Sequence, residues 1–434
     1  MLNERINNEK AADRAAVSRM TFLRFLGIRI KAAGIAIKDF PLRAFYILAA
    51  IVLGLLYYIP ITGLFPEYCR SLFKVFYIVF ATVGLLGIIL LIGTPRGSHR
   101  AKIGLLRAGV VNAVGEPPLM IDRWREGKIT MRVFNSCGIP LHVWEDRKLE
   151  IESALNLRIG NIEEIGAVQN IKISSVPGKR CLPDIIPWSK KYATASNDSI
   201  ALGVGYFDNV QWDINSVPHI LVAGATGSGK TVLALSCIYQ LLNKGATVYI
   251  ADLKRGGDYP MAIRNKCTMC YTPESALEAL TNVHDTMEAR LKLLNKCGCA
   301  NMDVYVEKYG GSADRIVFVV DEMAELLDKS GRTKEEKAIM EQIDGKLSSI
   351  ARLGRAAKVS LLLSMQRPDA NVLNGQIKNN VNYRVCGRAD NVLSMLVLDN
   401  VTAEEQIPKN AKGMFINHEG TIFRGFWHDS WDVE

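Results

Sequence analysis

Two stretches of this 434-residue chain hold no charged residue at all, Ala44 to Leu64 and Val75 to Gly93. Each is a run of about twenty mostly apolar residues, enough to cross the ~30 Å hydrocarbon core of a bilayer. Soluble core helices of that length rarely go uncharged on every side, because one side of them meets water. The position of the first run, and the presence of the second, exclude a cleaved signal peptide. Acid is also in short supply: 44 Asp and Glu stand against 53 Lys and Arg, a formal net charge of +9 with pI near 9.0. That balance suits a polyanionic partner or an anionic membrane surface, and does not choose between them. Disulfide spacing of the secretory kind is missing as well. The nine cysteines are scattered, as expected of a body in a reducing compartment.

Positive charge is dense before the first run and after the second (Arg96, Arg100, Lys102, Arg107), whereas the loop between them carries only Arg70 and Lys74. The positive-inside rule then predicts a two-helix anchor over residues 44–94 in a cell membrane, multi-pass, with both termini cytoplasmic. Residues 1–43 form a basic cytoplasmic segment with nine Lys and Arg against four acids. Between Met20 and Ile37, apolar residues recur at helical spacing. The segment reads either as a helix lying on the anionic leaflet or as a solvated tail, and the sequence leaves both open.

Residues 95–200 read as a small α+β module followed by a linker. Leu119 to Ile121 and Ile129 to Phe134 are expected strands joined through Arg125-Glu-Gly-Lys128. Trp144 to Leu155 has helical periodicity, Val168 to Ser174 returns as a strand, and no spacing here suits a catalytic site. The Pro-, Lys- and Ser-rich stretch from Val176 to Asp198 is the expected linker. Cys267-Thr-Met-Cys270 and Cys297-Gly-Cys299 could offer four thiolates to zinc. No knuckle pattern flanks the second pair, so ordinary reduced thiols are the preferred reading.

From 201 to 434 strand and helix patterns alternate, which predicts an α/β domain with a mostly parallel sheet and its site at the strands' carboxyl ends. Gly224-Ala-Thr-Gly-Ser-Gly-Lys230-Thr231 fits G-x-x-x-x-G-K-[ST], the Walker A loop. An apolar strand leads in and a helix leads out, the context that the motif requires. Backbone amides over Gly224, Ala225, Thr226, Gly227, Ser228, Gly229, Lys230, Thr231 and Val232 would cradle the phosphates of ATP. Lys230 would reach the β- and γ-phosphates, and the Thr231 hydroxyl would ligate Mg²⁺. Further on, Arg315-Ile-Val-Phe-Val-Val runs into Asp321-Glu322, a Walker B pair. Asp321 would hold Mg²⁺ and Glu322 would polarise the attacking water. Gln366, just past the next strand, could report on the γ-phosphate. Arg355 could act as an arginine finger on a neighbouring subunit's nucleotide, or be a solvated helix-end residue.

Pro218-His-Ile-Leu-Val-Ala-Gly-Ala-Thr-Gly-Ser-Gly-Lys-Thr, Val320-Asp-Glu-Met-Ala-Glu-Leu, Ala351-Arg-Leu-Gly-Arg-Ala-Ala and Ser364-Met-Gln-Arg-Pro-Asp resemble the motor core of the FtsK/SpoIIIE DNA translocases. Ile377-Lys-Asn-Asn-Val, Lys412-Gly-Met-Phe and Asp252-Leu-Lys254 match further family elements, and the resemblance covers about residues 200–427. It implies a RecA-like P-loop motor domain and a homo-hexameric ring that passes DNA through its channel. In such a ring Arg355 would face the next subunit's site. The translocases of division and sporulation usually have four spans, and many carry a linker and a winged-helix reader. This sequence shows two spans and no reader, and so is more similar to the FtsK-like coupling proteins of Gram-positive conjugative elements. Relaxase and conjugation-channel proteins are the partners this implies. DNA contacts, reading phosphates, are expected from Lys254, Arg255, Arg332 and Lys334. The alternatives are a chromosome-segregation translocase, a protein-export ATPase of the same superfamily, and a non-hydrolysing membrane scaffold for a relaxase complex.

Overall fold

The computed structural model describes residues 25–34, 36–37, 42–63, 66–178, 181–254, 257–366, 373 and 375–431. Two compact units result, Met1–Arg180 and Cys181–Glu434.

In the first unit, helices Leu42–Gly63 and Glu67–Ile92 pack on each other. The Tyr77 hydroxyl donates to the Gly54 carbonyl at 2.7 Å, and the Tyr58 and Tyr77 rings lie 5.6 Å apart. Among the described residues, Cys69–Ile92 is the one helix long and apolar enough to span a bilayer, and Ala44–Tyr58 is a shorter apolar stretch. Residues 25–34 are helical, but neither of the two readings of the basic segment describes them. Ala32 packs with Ile28 on Ile121 and Val133, and Ala33 is buried. Arg29 is buried too, donating to the carbonyls of Gly93 (3.1 Å) and Met120 (2.7 Å) and to Ser98 Oγ (2.9 Å). Small alanines allow the close approach, and the three acceptors engage the two terminal nitrogens of a guanidinium whose burial lowers its pKa, while its Nε is buried without a partner among the described residues. The rest of the expected segment, 1–24, lies outside the described residues.

Strands β1 (Leu119–Glu126), β2 (Ile129–Asn135), β3 (Leu157–Ile165) and β4 (Ala167–Pro177) form an antiparallel sheet in the order β1-β2-β4-β3. Gly127, at φ 55°, closes the first hairpin in a conformation that favours glycine. Phe134, Ile159, Ile171 and Ile173 pack on Leu105, Trp144 and Ile151 from the helices. The expected helix over 144–155 is two shorter ones, Leu141–Asp146 and Lys148–Leu155, that meet at Arg147.

The second unit is built on ten strands: β5 (Ser199–Gly205), β6 (Asn209–Asp213), β7 (Ile220–Ala223), β8 (Thr247–Ala251), β9 (Thr268–Cys270), β10 (Ile316–Val320), β11 (Val359–Met365), β12 (Tyr383–Cys386), β13 (Met414–Asn417) and β14 (Ile422–Gly425). Their order is β6-β5-β14-β13-β12-β7-β11-β10-β8-β9. From β12 to β9 all pairings are parallel, and from β12 outward through β13, β14, β5 and β6 they are antiparallel. The parallel strands β7, β10 and β11 are buried along their whole length, as helices on both faces demand. Alternate residues serve opposite layers. Ile220 and Val222 pack with Leu233 and Ile238 of helix Lys230–Asn243, whereas Leu221 and Ala223 pack with Leu280 of helix Pro273–Cys297 and with Ile343 and Leu347 of helix Lys334–Leu353. The latter two helices start at capping boxes, Thr272 with Ser275 and Thr333 with Glu336.

The stretch expected as a linker differs from expectation over residues 181–198. Trp188 N–H donates to the Trp427 carbonyl at 2.7 Å, Trp427 N–H donates to Ile186 at 2.8 Å, and Ile186 is buried with Ala201 and Phe426. Its Pro-, Lys- and Ser-rich composition forbids periodic structure but not packing.

Candidate active site at the carboxyl ends of the strands

β7 sits between β11 and β12; the connection after β7 runs to β8 on one side and that after β11 runs back to β12 on the other, the arrangement that opens a crevice at the carboxyl ends. The Walker A loop fills that crevice. Gly227 and Gly229 have φ of 77° and 97°, and a Cβ on Gly229 would come within 2.9 Å of the Gly413 backbone nitrogen. The loop is braced from three sides. Gly224 N–H donates to the Met365 carbonyl (3.1 Å), Ala225 N–H to Arg388 (2.8 Å), and Gly413 N–H to Ser228 (2.7 Å). The Arg388 guanidinium adds bonds to the carbonyls of Thr226 and Lys409. Helix Lys230–Asn243 starts directly after Gly229, so its amino-terminal dipole favours an anion at the loop. A cavity of about 460 Å³ opens here, lined by residues 225–233 and by an apolar wall that includes Ile185, Phe426 and Trp427.

The two expected carboxylates converge on the same place because β10 runs beside β11 and β8. Lys230 is buried, and its Nζ donates to the Asp321 carbonyl at 3.1 Å and lies 4.0 Å from Glu322 Oε2. Burial lowers the Lys230 pKa, and the charges of Glu322 and Asp321 oppose that shift. Asp321 Oδ1 accepts the Tyr259 hydroxyl at 2.9 Å, and burial and that carboxylate push Tyr259 well above a usual phenol. Glu322 Oε1 accepts the Gln366 N–H at 3.2 Å, and Gln366 Oε1 accepts the Thr226 hydroxyl at 3.5 Å. Gln366 thus links the phosphate loop to Glu322. Burial and the neighbouring charges of Asp321 and Asp258 raise the Asp252 pKa. Ser228 Oγ and Glu322 Oε2 are buried without a hydrogen-bond partner among the described residues, polar atoms of the kind a bound ligand satisfies.

Thr231 and Val232 are half-buried in the first turn of the helix and line the cavity. The glycine cradle with Lys230 fits a triphosphate. The Thr231 hydroxyl and the Asp321 carboxylate are hard oxygen donors, which fits Mg²⁺. Arg355 lies elsewhere. Its Nε donates to the Asn215 carbonyl at 3.3 Å, and Arg355 and Asn215 precede β11 and β7, at the amino ends of strands whose carboxyl ends hold the loop.

Of the expected DNA contacts, Lys254 follows β8 with its Nζ 3.7 Å from Glu322 Oε2. Arg332 pairs with Glu336 at 3.7 Å and lines a polar cavity of about 460 Å³ together with Lys254, Glu322 and Gln366. Lys334 is exposed at the start of its helix and does not line that cavity, and Arg255 lies outside the described residues. Cys267 and Cys270 have thiols that burial pushes up to about 12 and about 11. Among the described residues no group of three or more His, Cys, Asp or Glu is arranged to hold a metal ion.

Sequence reasoning missed Tyr259 and Arg388, single polar residues in segments without a periodic signal. Gly413 had a signal, since it lies in Lys412-Gly-Met-Phe, but its part as a backbone brace on Gly229 shows only in the fold.

Comparison with known proteins gives the following. The model of the FtsK/SpoIIIE family matches residues 187–370. The structure of the pCW3 conjugation coupling protein TcpA, in a monomer form with ATPγS, superposes with a TM-score of 0.57 at 32% identity, covering 77% of this chain and 95% of that one. The DNA translocase FtsK of Streptococcus agalactiae is 27% identical over 361 residues, 71% of this chain and 42% of that protein. The protein of the same name from Chlorobaculum tepidum is 29% identical over 267 residues, 54% of this chain and 32% of that protein. The chain thus spans less than half the length of these curated relatives.

Proposed function

This chain belongs to the FtsK/SpoIIIE family, and on that premise we propose that it is a membrane-anchored, ATP-driven DNA pump acting as the coupling protein of conjugative transfer. The observation that carries the reading is the convergence of Lys230, Asp321, Glu322 and Gln366 on one glycine-rich loop. A scaffold without turnover has no use for all four. Likeness to a conjugation coupling protein over 95% of that chain favours the conjugative role. A second reading, chromosome segregation, draws on the names of the curated relatives.

Bound Mg²⁺ would neutralise charge on the β- and γ-phosphates. The residues of the chain do the rest. Thr231 and Asp321 hold the cation, Lys230 places an ammonium on the phosphates, and the loop amides fix the phosphate chain. The apolar wall of Ile185, Phe426 and Trp427 shields the base side from water. Glu322 polarises the attacking water, and Gln366, bonded to Glu322 and to Thr226, senses whether the γ-phosphate is present. Arg355, remote from the loop of its own chain, serves the site of the next subunit in a homo-hexameric ring. Residues 44–94 form a two-span anchor with both termini cytoplasmic, 95–180 a small module, and the packed stretch 181–200 belongs with 201–434 to the motor. Basic residues including Lys254, Arg255, Arg332 and Lys334 contact DNA phosphates, and relaxase and channel proteins are its partners.

The test is ATP turnover of the full chain in lipid nanodiscs, without DNA and with single- or double-stranded DNA over a salt series, beside Glu322→Gln. A severalfold rise with DNA, lost in Glu322→Gln, supports the pump, and the more effective strand form identifies the cargo. Turnover that no nucleic acid changes would move a protein-export role ahead, and no turnover at all would favour the scaffold.

A further inference from the structure

Glu322 is held unevenly. Its Oε1 accepts a backbone N–H at 3.2 Å, while Oε2 is buried without a hydrogen-bond partner among the described residues and faces two ammonium groups. Lys230 Nζ is 4.0 Å away and Lys254 Nζ 3.7 Å. The two lysines differ in freedom. Lys230 is buried and fixed on the Asp321 carbonyl at 3.1 Å. Lys254 is 33% exposed and lines the polar cavity that it shares with Arg332. An ammonium on either side holds the free carboxylate oxygen toward itself rather than toward a water. Only one of the two can leave without dismantling the phosphate loop.

We propose that Lys254 restrains Glu322, and that a backbone phosphate of bound DNA, entering the cavity between Lys254 and Arg332, takes over Lys254 and frees Glu322 to polarise water. Lys254 is thus a positioning residue that couples nucleic-acid contact to hydrolysis. The proposal rests on the DNA-pump reading above for its ligand, though not for the restraint itself. Glu325 and Asp328 also line the cavity and keep the phosphate contact weak, which suits a motor that must release each phosphate in turn. Tyr259, from the same connection after β8, holds Asp321 at 2.9 Å, so Lys254 can swing while the neighbouring carboxylate stays in register.

Two measurements on the full chain in nanodiscs test this. The first needs no nucleotide: brief amine labelling read by mass spectrometry. An ion-paired ammonium reacts slowly, so Glu322→Gln should raise labelling of Lys254 at least threefold over other exposed lysines; an unchanged rate overturns the restraint. The second is turnover of Lys254→Met, with Lys254→Gln as a second neutral variant and Lys254→Arg as the conservative one. Both neutral variants should hydrolyse ATP severalfold faster than the parent without DNA and shrink the DNA-stimulated ratio toward one. Lys254→Arg should restore the parent ratio. A DNA-free rate that is unchanged or lower in both neutral variants overturns the proposal. If the parent ignores DNA while Lys254→Met still speeds basal turnover, the restraint stands and the DNA reading is what fails.

Discussion

At the amino ends of the parallel strands the charged side chains are matched on the spot, although the neutral ring of His219 keeps a buried Nε2 without a partner among the described residues. Arg315 donates to Ser360 Oγ at 3.2 Å and pairs with Asp198 at 2.9 Å, Arg290 bonds the carbonyls of Ala357 (2.8 Å) and Asp314 (3.0 Å), and His219 Nδ1 accepts the Leu361 N–H at 3.0 Å. At the carboxyl ends of the same strands, Glu322 Oε2, Asp252 Oδ2 and Ser228 Oγ are buried without hydrogen-bond partners among the described residues, beside a buried lysine and glycines at positive φ. Both ends share one sheet and one core, so the difference is not a matter of packing quality. Unpaired buried polar atoms cost free energy, on the order of 1–3 kcal/mol each, and they persist where a ligand completes them. The contrast assigns stability to one end and chemistry to the other.

The largest effects should come from breaking the carboxyl end. In Gly229→Val the new Cβ would meet the Gly413 backbone nitrogen at 2.9 Å, at a φ of 97°. The strain, about 1–3 kcal/mol for the backbone alone, falls on the loop itself. Nucleotide affinity should drop more than about 100-fold by fluorescent-analogue titration, with the circular dichroism of the sheet retained. An affinity within a few fold of the parent would show that the brace from Gly413 is dispensable.

Arg355 is the exception at the amino end, a guanidinium with one long bond to a carbonyl and no carboxylate partner among the described residues. If it serves the next subunit, Arg355→Ala should lower turnover by about 10³-fold, the scale of an arginine finger, and leave nucleotide affinity intact. Mixing it with Glu322→Gln chains should then restore part of the activity, because some interfaces pair an intact Arg355 with an intact Glu322. Two inactive variants that stay inactive when mixed would return Arg355 to the structural end of the comparison.

Most of the chemical end was legible in the sequence because its motifs are contiguous. The loop, its two flanking elements and the Asp321-Glu322 pair each occupy one short window, and hydrophobic runs such as Ile316 to Val320 announce buried parallel strands. What stayed hidden are contacts between distant windows. Tyr259 reaches Asp321 across 62 positions, Arg388 reaches Thr226 across 162, and the Gly413 N–H reaches the Ser228 carbonyl through room that the missing side chain of Gly229 leaves. The antiparallel extension was partly hidden for another reason: β5 and β6 flank a short turn with mixed polarity, and the pairing of β5 with β14 depends on the sheet already being present. Composition misled at residues 181–198, where a lack of periodicity was read as a lack of contacts. The helix at 25–34 has the basic amphipathic pattern of a membrane-surface segment, and only the fold shows Arg29 spent on three oxygens of its own unit.

The smallest expected effect sharpens the comparison from the stable end. Burial holds His219 down to about 3, against an ordinary value of 6.5. Because the folded-state value lies below the unfolded one, the unfolded chain binds the proton first as acid is added. The stability that neutral His219 contributes is therefore complete above pH 6.5 and is lost as pH falls from there toward 3. At about 1.4 kcal/mol per pH unit, moving from pH 7 to pH 5 should cost the second unit about 2 kcal/mol from this group. Thermal unfolding of the parent and of His219→Gln at the two pH values separates that loss from other titrations. The parent should lose more stability on acidification than the variant does, while the variant starts lower at pH 7 because Leu361 N–H loses its acceptor. Equal losses in the two would mean that His219 stays accessible to protons in the fold, and that the amino end is less tightly matched than its hydrogen bonds imply.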